Sequence, residues 1–197
     1  MQNETEKVDN TEIDIATYPH FVPVPLCYQE TVYTCGVACV QSILANYGII
    51  YRQDTLIELL QQKPILGTDY RNIINFMQKL GFQASFNIDM NIDILKSYLD
   101  IKITPILIIQ AWKDDNIDYE FDWKDNHYVI ACGYDEHRII FMDPYTLGNY
   151  TYISNTELMK RWHVVDQFGN HNYFSALIIK NENLPITYTP KLIKHQD

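Results

Sequence analysis

The first half of the chain repeats its apolar residues with the period of helices. Apolar side chains recur every three or four positions over residues 36–47, which predicts a helix on which Gly48 forms the C-terminal cap. Similar patterns predict further helices over residues 54–62, 70–80 and 92–99. We therefore expect a helical N-terminal half.

The period changes in the second half of the chain. Short apolar runs that are typical of strands occupy residues 103–112, 127–134, 138–144 and 174–180, and residues 149–153 alternate in the same way. The turn YDEH predicts that the second and third runs form a hairpin. Ser154, Asn155 and Thr156 are N-cap candidates for one late helix over residues 154–163. Helices followed by strands predict an α+β class, in which a helical half packs on an antiparallel sheet.

Length and composition are those of one globular domain. The chain has 197 residues, of which 47% are hydrophobic. We expect a domain over residues 21–182, a flexible acidic tail over residues 1–20 and a C-terminal tail over residues 183–197. The acidic N-terminus lacks the apolar segment of a signal peptide, which predicts a cytoplasmic product, although secretion by a non-classical route stays open. The sequence contains no apolar stretch long enough to predict a membrane span.

The net charge of -10 argues against a nucleic-acid partner, because binding to phosphates needs a basic surface. Most of the negative charge lies in residues 1–17 and 113–126. The second acidic segment leads directly into His127 and has two interpretations. It is either a solvated loop or a wall of the substrate cleft that favours a basic peptide or an amine.

The four cysteines are too few for a disulfide scaffold. Cys35 and Cys39 share one helix face and could hold two metal ligands, but no second pair follows at zinc-like spacing. We therefore expect neither a metal nor another cofactor. Cys39 and Cys132 are predicted to be core residues. Cys27 follows an extended entry segment over residues 17–26; packing is the favoured prediction for it, and a place near the site is the alternative.

Four residues form a pattern that fits nucleophilic catalysis. Cys35 begins the first helix, where the helix N-terminus stabilises negative charge. His127 opens a strand and is predicted to activate the thiol, and Asp143 ends the next strand and is predicted to orient the imidazole. Gln29 precedes the cysteine by six residues. Its side-chain amide is predicted to form an oxyanion hole with the backbone N–H of Cys35.

Three further residues are candidates for substrate binding. Gly36 follows the nucleophile candidate, and Asn126 precedes His127 and offers a polar contact beside it. Trp162 is either a core residue or a wall of the cleft. His163 next to it is predicted to be structural.

Two segments resemble a known family. VPLCYQETVYTCGVACVQSILANYG (24–48) resembles the nucleophile motif of bacteriocin-processing, double-glycine-type cysteine peptidases. HYVIACGYDEHRIIFMDPYTLGNYTYI (127–153) resembles the second half of these peptidases, with a His at a strand start and a later Asp-Pro. The resemblance covers about residues 22–180 and implies a papain-like fold. It also implies a stand-alone member, because the membrane-spanning and ATP-binding domains of the transporter-linked members are not seen here.

The resemblance and the four residues together predict a thiol-dependent hydrolase. We expect a cysteine peptidase that cleaves a peptide or amide bond through an acyl-enzyme on Cys35. An acyl or amide transferase on the same fold and a catalytically idle peptide-binding module are the alternatives. The substrate sequence, the acyl acceptor and the oligomeric state are left open.

Overall fold

The computed structural model describes residues 18–112 and 116–190, and an antiparallel sheet forms the centre of this part of the chain. The strands of the described residues are β1 (His20–Phe21), β2 (Gln83–Asn87), β3 (Ile106–Gln110), β4 (Asn126–Tyr134), β5 (Arg138–Met142), β6 (Thr151–Ser154), β7 (His163–Val165), β8 (His171–Tyr173) and β9 (Ala176–Lys180). The main sheet has the order β2-β9-β3-β4-β5-β6, and β1 pairs with the far end of β4. Strands β7 and β8 form a separate hairpin.

Helices cover both faces of the main sheet. They are α1 (Cys35–Asn46), α2 (Gln53–Leu59), α3 (Tyr70–Lys79), α4 (Ile92–Asp100) and α5 (Asn155–Arg161), with a short 3-10 helix at Tyr119–Phe121. Ile106 and Ile108 of β3 join the core beneath α1 to α3, whereas Leu107 and Ile109 join the core on the α4 and α5 side. A strand that is buried on both faces needs apolar residues at every position, which explains its continuous apolar run.

The strongest periodic patterns are confirmed by the structure. Helix α1 ends before Gly48, whose φ of +77° is the left-handed conformation that the predicted cap requires. Ser154 caps α5 by accepting a hydrogen bond from the backbone N–H of Glu157 at 3.1 Å. The predicted hairpin is formed by β4 and β5, which pair in antiparallel register. The mixed helix and antiparallel-sheet fold class is therefore confirmed.

Besides β1, three short elements were not predicted from the sequence. Strand β2 lies at an edge of the sheet and is partly exposed, and the hairpin of β7 and β8 has only three residues in each strand. Such elements are too short and too polar to produce a clear period. The 3-10 helix lies inside the acidic segment of residues 113–126, where frequent charged residues leave no apolar period.

The predicted tail boundaries need correction within the described residues. His20 lies in β1 and pairs with Tyr134, and the Tyr18 hydroxyl donates to Asp135 at 2.6 Å. The ordered structure therefore begins before residue 21. After β9, the backbone N–H of Thr187 donates to the carbonyl of Asn46 at 2.9 Å, so this part of the predicted C-terminal tail packs against the domain. Residues 1–17 and 191–197 of the two predicted tails lie outside the described residues.

The helices of the described residues are short. The longest of them, α1, has 12 residues. None combines the length and hydropathy that a bilayer-spanning helix requires.

Candidate active site

Cys35 is the first residue of α1 and faces the sheet. The hydroxyl of Thr34, the N-cap residue, donates to the carbonyl of Thr31 at 3.0 Å and does not cap the helix. The first turn of α1 carries no acidic side chain. The positive end of the helix dipole at Cys35 is therefore not neutralised by its own helix, and such an end favours an anion beside it.

His127 and Asp143 meet at one end of the β4–β5 hairpin. The distance between His127 Nε2 and Asp143 Oδ1 is 2.7 Å, although the two residues are 16 apart in sequence. Asp143 Oδ1 also accepts a hydrogen bond from the backbone N–H of Tyr145 at 2.9 Å. Antiparallel pairing of the two strands brings the start of β4 next to the end of β5.

The electrostatics of this pair favour a charged imidazole. Burial lowers the pKa of His127, but the hydrogen bonds and charges of Asp143 and Cys35 outweigh it and raise the pKa to about 9. Burial raises the pKa of Asp143, but the hydrogen bond and charge of His127 outweigh it and hold that pKa below its usual range. His127 Nδ1 is buried and forms no hydrogen bond that meets ordinary geometry with any described group, so it is the ring nitrogen that remains for the thiol.

We expect His127 to titrate near pH 9 when its ring shifts are followed by NMR, with the resonances assigned by their loss in His127→Ala. Cys35→Ala should bring this pKa down, because it removes one of the two groups that raise it. The folded-state pKa lies above that of the unfolded chain. Protonation of His127 therefore stabilises the fold fully below pH 6.5, and this stabilisation is lost as the pH rises through about 9. A His127 pKa near 6.5 in the wild type would contradict the described geometry.

Gln29 contacts both the segment that follows Asp143 and the turn that precedes Cys35. Its backbone N–H donates to the carbonyl of Pro144 at 2.9 Å, directly after Asp143. Its side-chain Nε2 donates to the carbonyl of Thr31 at 2.8 Å, in the turn that leads into Cys35. Because a side-chain amide nitrogen carries two hydrogens, one remains after this bond. The side chain is almost completely buried, and Oε1 has no hydrogen-bond partner among the described groups.

A cleft of about 370 Å³ lies beside Cys35, between the turn that precedes α3 and the segments around β4 and β7. Its described lining carries three basic and three acidic side chains: Lys63, Asp69, Arg71, Lys124, Asp125 and Asp166. The charges of this lining cancel. The cleft therefore offers no general preference for a basic substrate.

The acidic segment is only partly directed toward the cleft. Lys124 and Asp125 reach the lining, but Asp118 forms an ion pair with Lys160 of α5 at 3.2 Å. Asp114 and Asp115 lie outside the described residues. The expected selection for basic substrates stays a prediction without support from the described lining.

Arg71 joins the two walls of the cleft. Its guanidinium lies between the rings of Tyr70 and Phe168, at 4.4 and 4.5 Å from their centroids. It donates to Asp166 Oδ2 at 2.6 Å and to Asp69 Oδ1 at 3.2 Å. These contacts connect the start of α3 with the turn between β7 and β8 and fix the distance between the two walls.

The three residues that were predicted to bind substrate occupy different environments. Trp162 has no exposed surface, and its Nε1 donates to the carbonyl of Ser175 at 2.8 Å, so the predicted substrate contact by Trp162 is wrong. Its indole fills the core beneath α5 because it is apolar and its one donor is satisfied there. Gly36 packs under Thr68 and Tyr128, where an added Cβ would approach Thr68 Cβ to 3.1 Å. A substrate-binding role for Gly36 stays a prediction.

Asn126 lines the cleft, but its amide is committed to the fold. Its Oδ1 accepts from Gln110 Nε2 at 2.7 Å, and its Nδ2 donates to the carbonyl of Val165 at 3.2 Å. Gln110 Nε2 also donates to the carbonyl of His163 at 2.9 Å, so Gln110 ties β3, the start of β4 and β7 together. Binding of substrate by Asn126 stays a prediction. Sequence reasoning missed Gln110, whose only signal was a polar residue at the end of an apolar strand.

The three cysteines other than Cys35 lie outside this centre in buried or partly buried positions. Cys39 and Cys132 are fully buried, as predicted, and burial raises the pKa of each thiol. Cys27 is partly buried, and burial raises the pKa of its thiol to about 11. Across residues 18–112 and 116–190, no group of three or more His, Cys, Asp or Glu side chains is placed to share a metal ion.

A cysteine at a helix start that faces a His–Asp pair on an antiparallel sheet is the arrangement of papain-like cysteine peptidases, and the fold is that of this class. The model of the peptidase C39 family matches residues 23–166, more than half of the sequence, and the chain belongs to this family. No curated protein matches the chain.

Solved structures share the fold at low sequence identity. A C39-like peptidase from Bacillus anthracis is 16% identical with a TM-score of 0.62, over 81% of this chain and 96% of that one. The peptidase domain of Streptococcus ComA, a bifunctional ABC transporter involved in a quorum-sensing pathway, is 21% identical with a TM-score of 0.57, over 80% and 97%. A double-glycine-motif protease from an AMS/PCAT transporter, in complex with the leader peptide, is 19% identical with a TM-score of 0.56, over 82% and 94%. Family and fold together support a cysteine peptidase.

Proposed function

We propose that the protein is a cysteine peptidase that cleaves a peptide or amide bond through an acyl-enzyme on Cys35. The observation that carries this proposal is the contact between His127 Nε2 and Asp143 Oδ1, which leaves Nδ1 for the thiol. Membership of the peptidase C39 family supports the same conclusion. The catalytic domain comprises residues 21–182, extended at its start by the strand that contains His20 and at its end by the segment that contains Thr187.

In the proposed reaction, Cys35 transfers its thiol proton to His127 Nδ1, and the sulfur attacks the carbonyl carbon of the substrate. Asp143 stabilises the imidazolium that forms and fixes the ring orientation. The backbone N–H of Cys35 and the second Nε2 hydrogen of Gln29 hold the oxyanion. The imidazolium then gives its proton to the leaving amine. Water, deprotonated by His127, hydrolyses the thioester and restores the thiol.

The proposed substrate is a peptide. One structural neighbour holds a leader peptide, which makes double-glycine leader peptides the first substrates to assay. The protein is incubated with such peptides and with a diverse peptide mixture, and new termini are identified by mass spectrometry. Assays with water as the only acyl acceptor separate hydrolysis from acyl transfer, because a hydrolase releases the free acid in repeated turnovers whereas a transferase needs an added amine acceptor. Absence of new termini in every mixture, with Cys35 unlabelled by thiol reagents, would contradict the proposal.

Gln29→Ala is expected to lower kcat by about 100- to 1,000-fold, because it removes one of two oxyanion donors. KM should change little, since the donor acts mainly on charge that develops in the transition state. Gln53→Ala is the matched control. Gln53 also donates to a backbone carbonyl before α1, that of Tyr28, but is not among the described residues that line the cleft. Equal activity loss in the two variants would show that Gln29 acts only through the position of the segment.

A further inference from the structure

Aromatic side chains form a cover over the imidazole of His127, and the proposed mechanism does not account for it. Trp112 follows β3, whose last residues pair with the start of β4, and its ring centroid lies 4.7 Å from that of His127. The ring of Tyr145 meets the indole edge-on at 5.0 Å. The same Tyr145 donates its backbone N–H to Asp143. Trp112, Tyr145, Asp143 and His127 therefore form one closed set of contacts.

Trp112 occupies this place in an unfavourable backbone conformation. Its φ is +51°, in the left-handed region that bulky residues rarely adopt. Its side chain is 47% exposed, so burial offsets only part of this cost. Strain of this kind persists where the surrounding structure imposes it, and it often marks a functional position.

We propose that Trp112 is a positioning residue of the active site, whose indole, held by Tyr145, covers His127 and keeps the His127–Asp143 hydrogen bond away from water. This inference rests on the proposed function and extends it. His127 is only 2% exposed, although its neighbour Asn126 is open to the cleft. Exclusion of water strengthens a charged hydrogen bond, because water no longer competes for the carboxylate and no longer screens its charge.

Removal of the indole should move the titration of His127 in a defined direction. The charged groups that act on His127 and Asp143 are Cys35 from α1, the two residues of the pair themselves, and Arg161 from α5. Water that enters around the imidazole weakens each of these effects together with the effect of burial. The pKa of His127 should therefore fall from about 9 toward 6.5, the value for a solvated imidazole.

The chain offers a matched control for this test. Trp123 contacts the imidazole of His163 with ring centroids 4.2 Å apart, and His163 is also buried, with its Nε2 hydrogen-bonded to the carbonyl of Asp122. Trp123→Ala thus removes an equally large ring from an equally buried histidine outside the proposed catalytic residues. Any general effect of losing a tryptophan should appear in both variants.

The experiment compares the wild type, Trp112→Ala, Trp112→Phe and Trp123→Ala, with folding checked by circular dichroism. Two quantities are measured without a peptide substrate: the pKa of His127 by NMR and the rate of Cys35 alkylation by iodoacetamide at pH 6. Trp112→Ala should lower the pKa by at least about one unit and the alkylation rate about tenfold, because the interaction of His127 with the thiolate is mutual. Trp112→Phe should retain most of the raised His127 pKa and most of the alkylation rate. Trp123→Ala should match the wild type in both quantities.

The outcomes separate this inference from the proposed function. Slow alkylation of Cys35 in the wild type would contradict the proposed function itself. If Cys35 is alkylated fast in both the wild type and Trp112→Ala, and the pKa of His127 is the same in the two proteins, only the role of Trp112 is overturned. If Trp112→Ala does not fold, Trp112→Gly takes its place, because glycine adopts the positive φ of this position without strain. It removes the ring and its apolar bulk, so wild-type values in that variant would overturn the inference as well.

Discussion

Cys35→Ala is expected to abolish peptide cleavage, with a fall in kcat of about a million-fold, the scale seen when a nucleophile is removed from a comparable catalytic triad. No other described thiol can replace Cys35 at this place. Cys39 is one helical turn further along α1, but it is completely buried, and burial raises the pKa of its thiol. The measurement is the rate at which mass spectrometry detects new peptide termini.

Two observations accompany the loss of cleavage in Cys35→Ala. The peptide that the wild type cleaves should still bind, because the lining of the cleft is otherwise unchanged. Cys39→Ala, which removes a thiol from the same helix, should retain cleavage once its lower stability is taken into account. Residual cleavage at the wild-type rate in Cys35→Ala would contradict the acyl-enzyme mechanism.

Asp143→Ala is expected to lower kcat by about 10⁴-fold, because His127 loses the group that orients it and stabilises its charge. Asp143→Asn should cost less than the alanine variant. His127 Nε2 and the Tyr145 N–H both reach Oδ1, so a single amide oxygen can keep both hydrogen bonds while the charge is lost. The difference between the two variants measures what the orientation contributes apart from the charge.

Asp135→Ala provides the control for Asp143. Asp135 lies in the turn of the same hairpin and accepts hydrogen bonds from the backbone N–H groups of His137 and Arg138 and from the Tyr18 hydroxyl. Its loss should lower the midpoint of thermal unfolding without a specific loss of kcat. If Asp143→Ala lowers kcat no more than Asp135→Ala does, Asp143 has only a structural role.

The parts of the site that the sequence predicted are those set by local structure. The turn that contains Gln29 leads into the helix that begins with Cys35, and a single hairpin joins His127 to Asp143. Each pair needs only one element to bring its members together. Helix and hairpin patterns carry that information, because the apolar period and the turn residues are local properties of the chain.

The parts that escaped prediction depend on contacts between distant elements. Arg71 and Asp166 are 95 residues apart, and nothing local marks them as partners. An apolar period shows which face of α4 is buried but not against which face of the sheet, so the placement of this helix opposite α1 was not foreseen. Trp112 follows a continuously apolar strand, whereas Trp162 follows a helix rich in polar and charged residues. The first nevertheless lines the cleft and the second fills the core, so the flanking sequence does not indicate which tryptophan is buried.

The central claim is that Cys35 and His127 act as a thiolate–imidazolium pair. The most direct test is labelling with iodoacetamide at about pH 6, read by peptide mass spectrometry, on the wild type and His127→Ala. We predict labelling confined to Cys35 in the wild type, because Cys39 and Cys132 are buried and burial raises the pKa of Cys27 to about 11. This labelling should be lost in His127→Ala. Equal labelling of all four cysteines, or rapid labelling of Cys35 that persists without His127, would contradict the account.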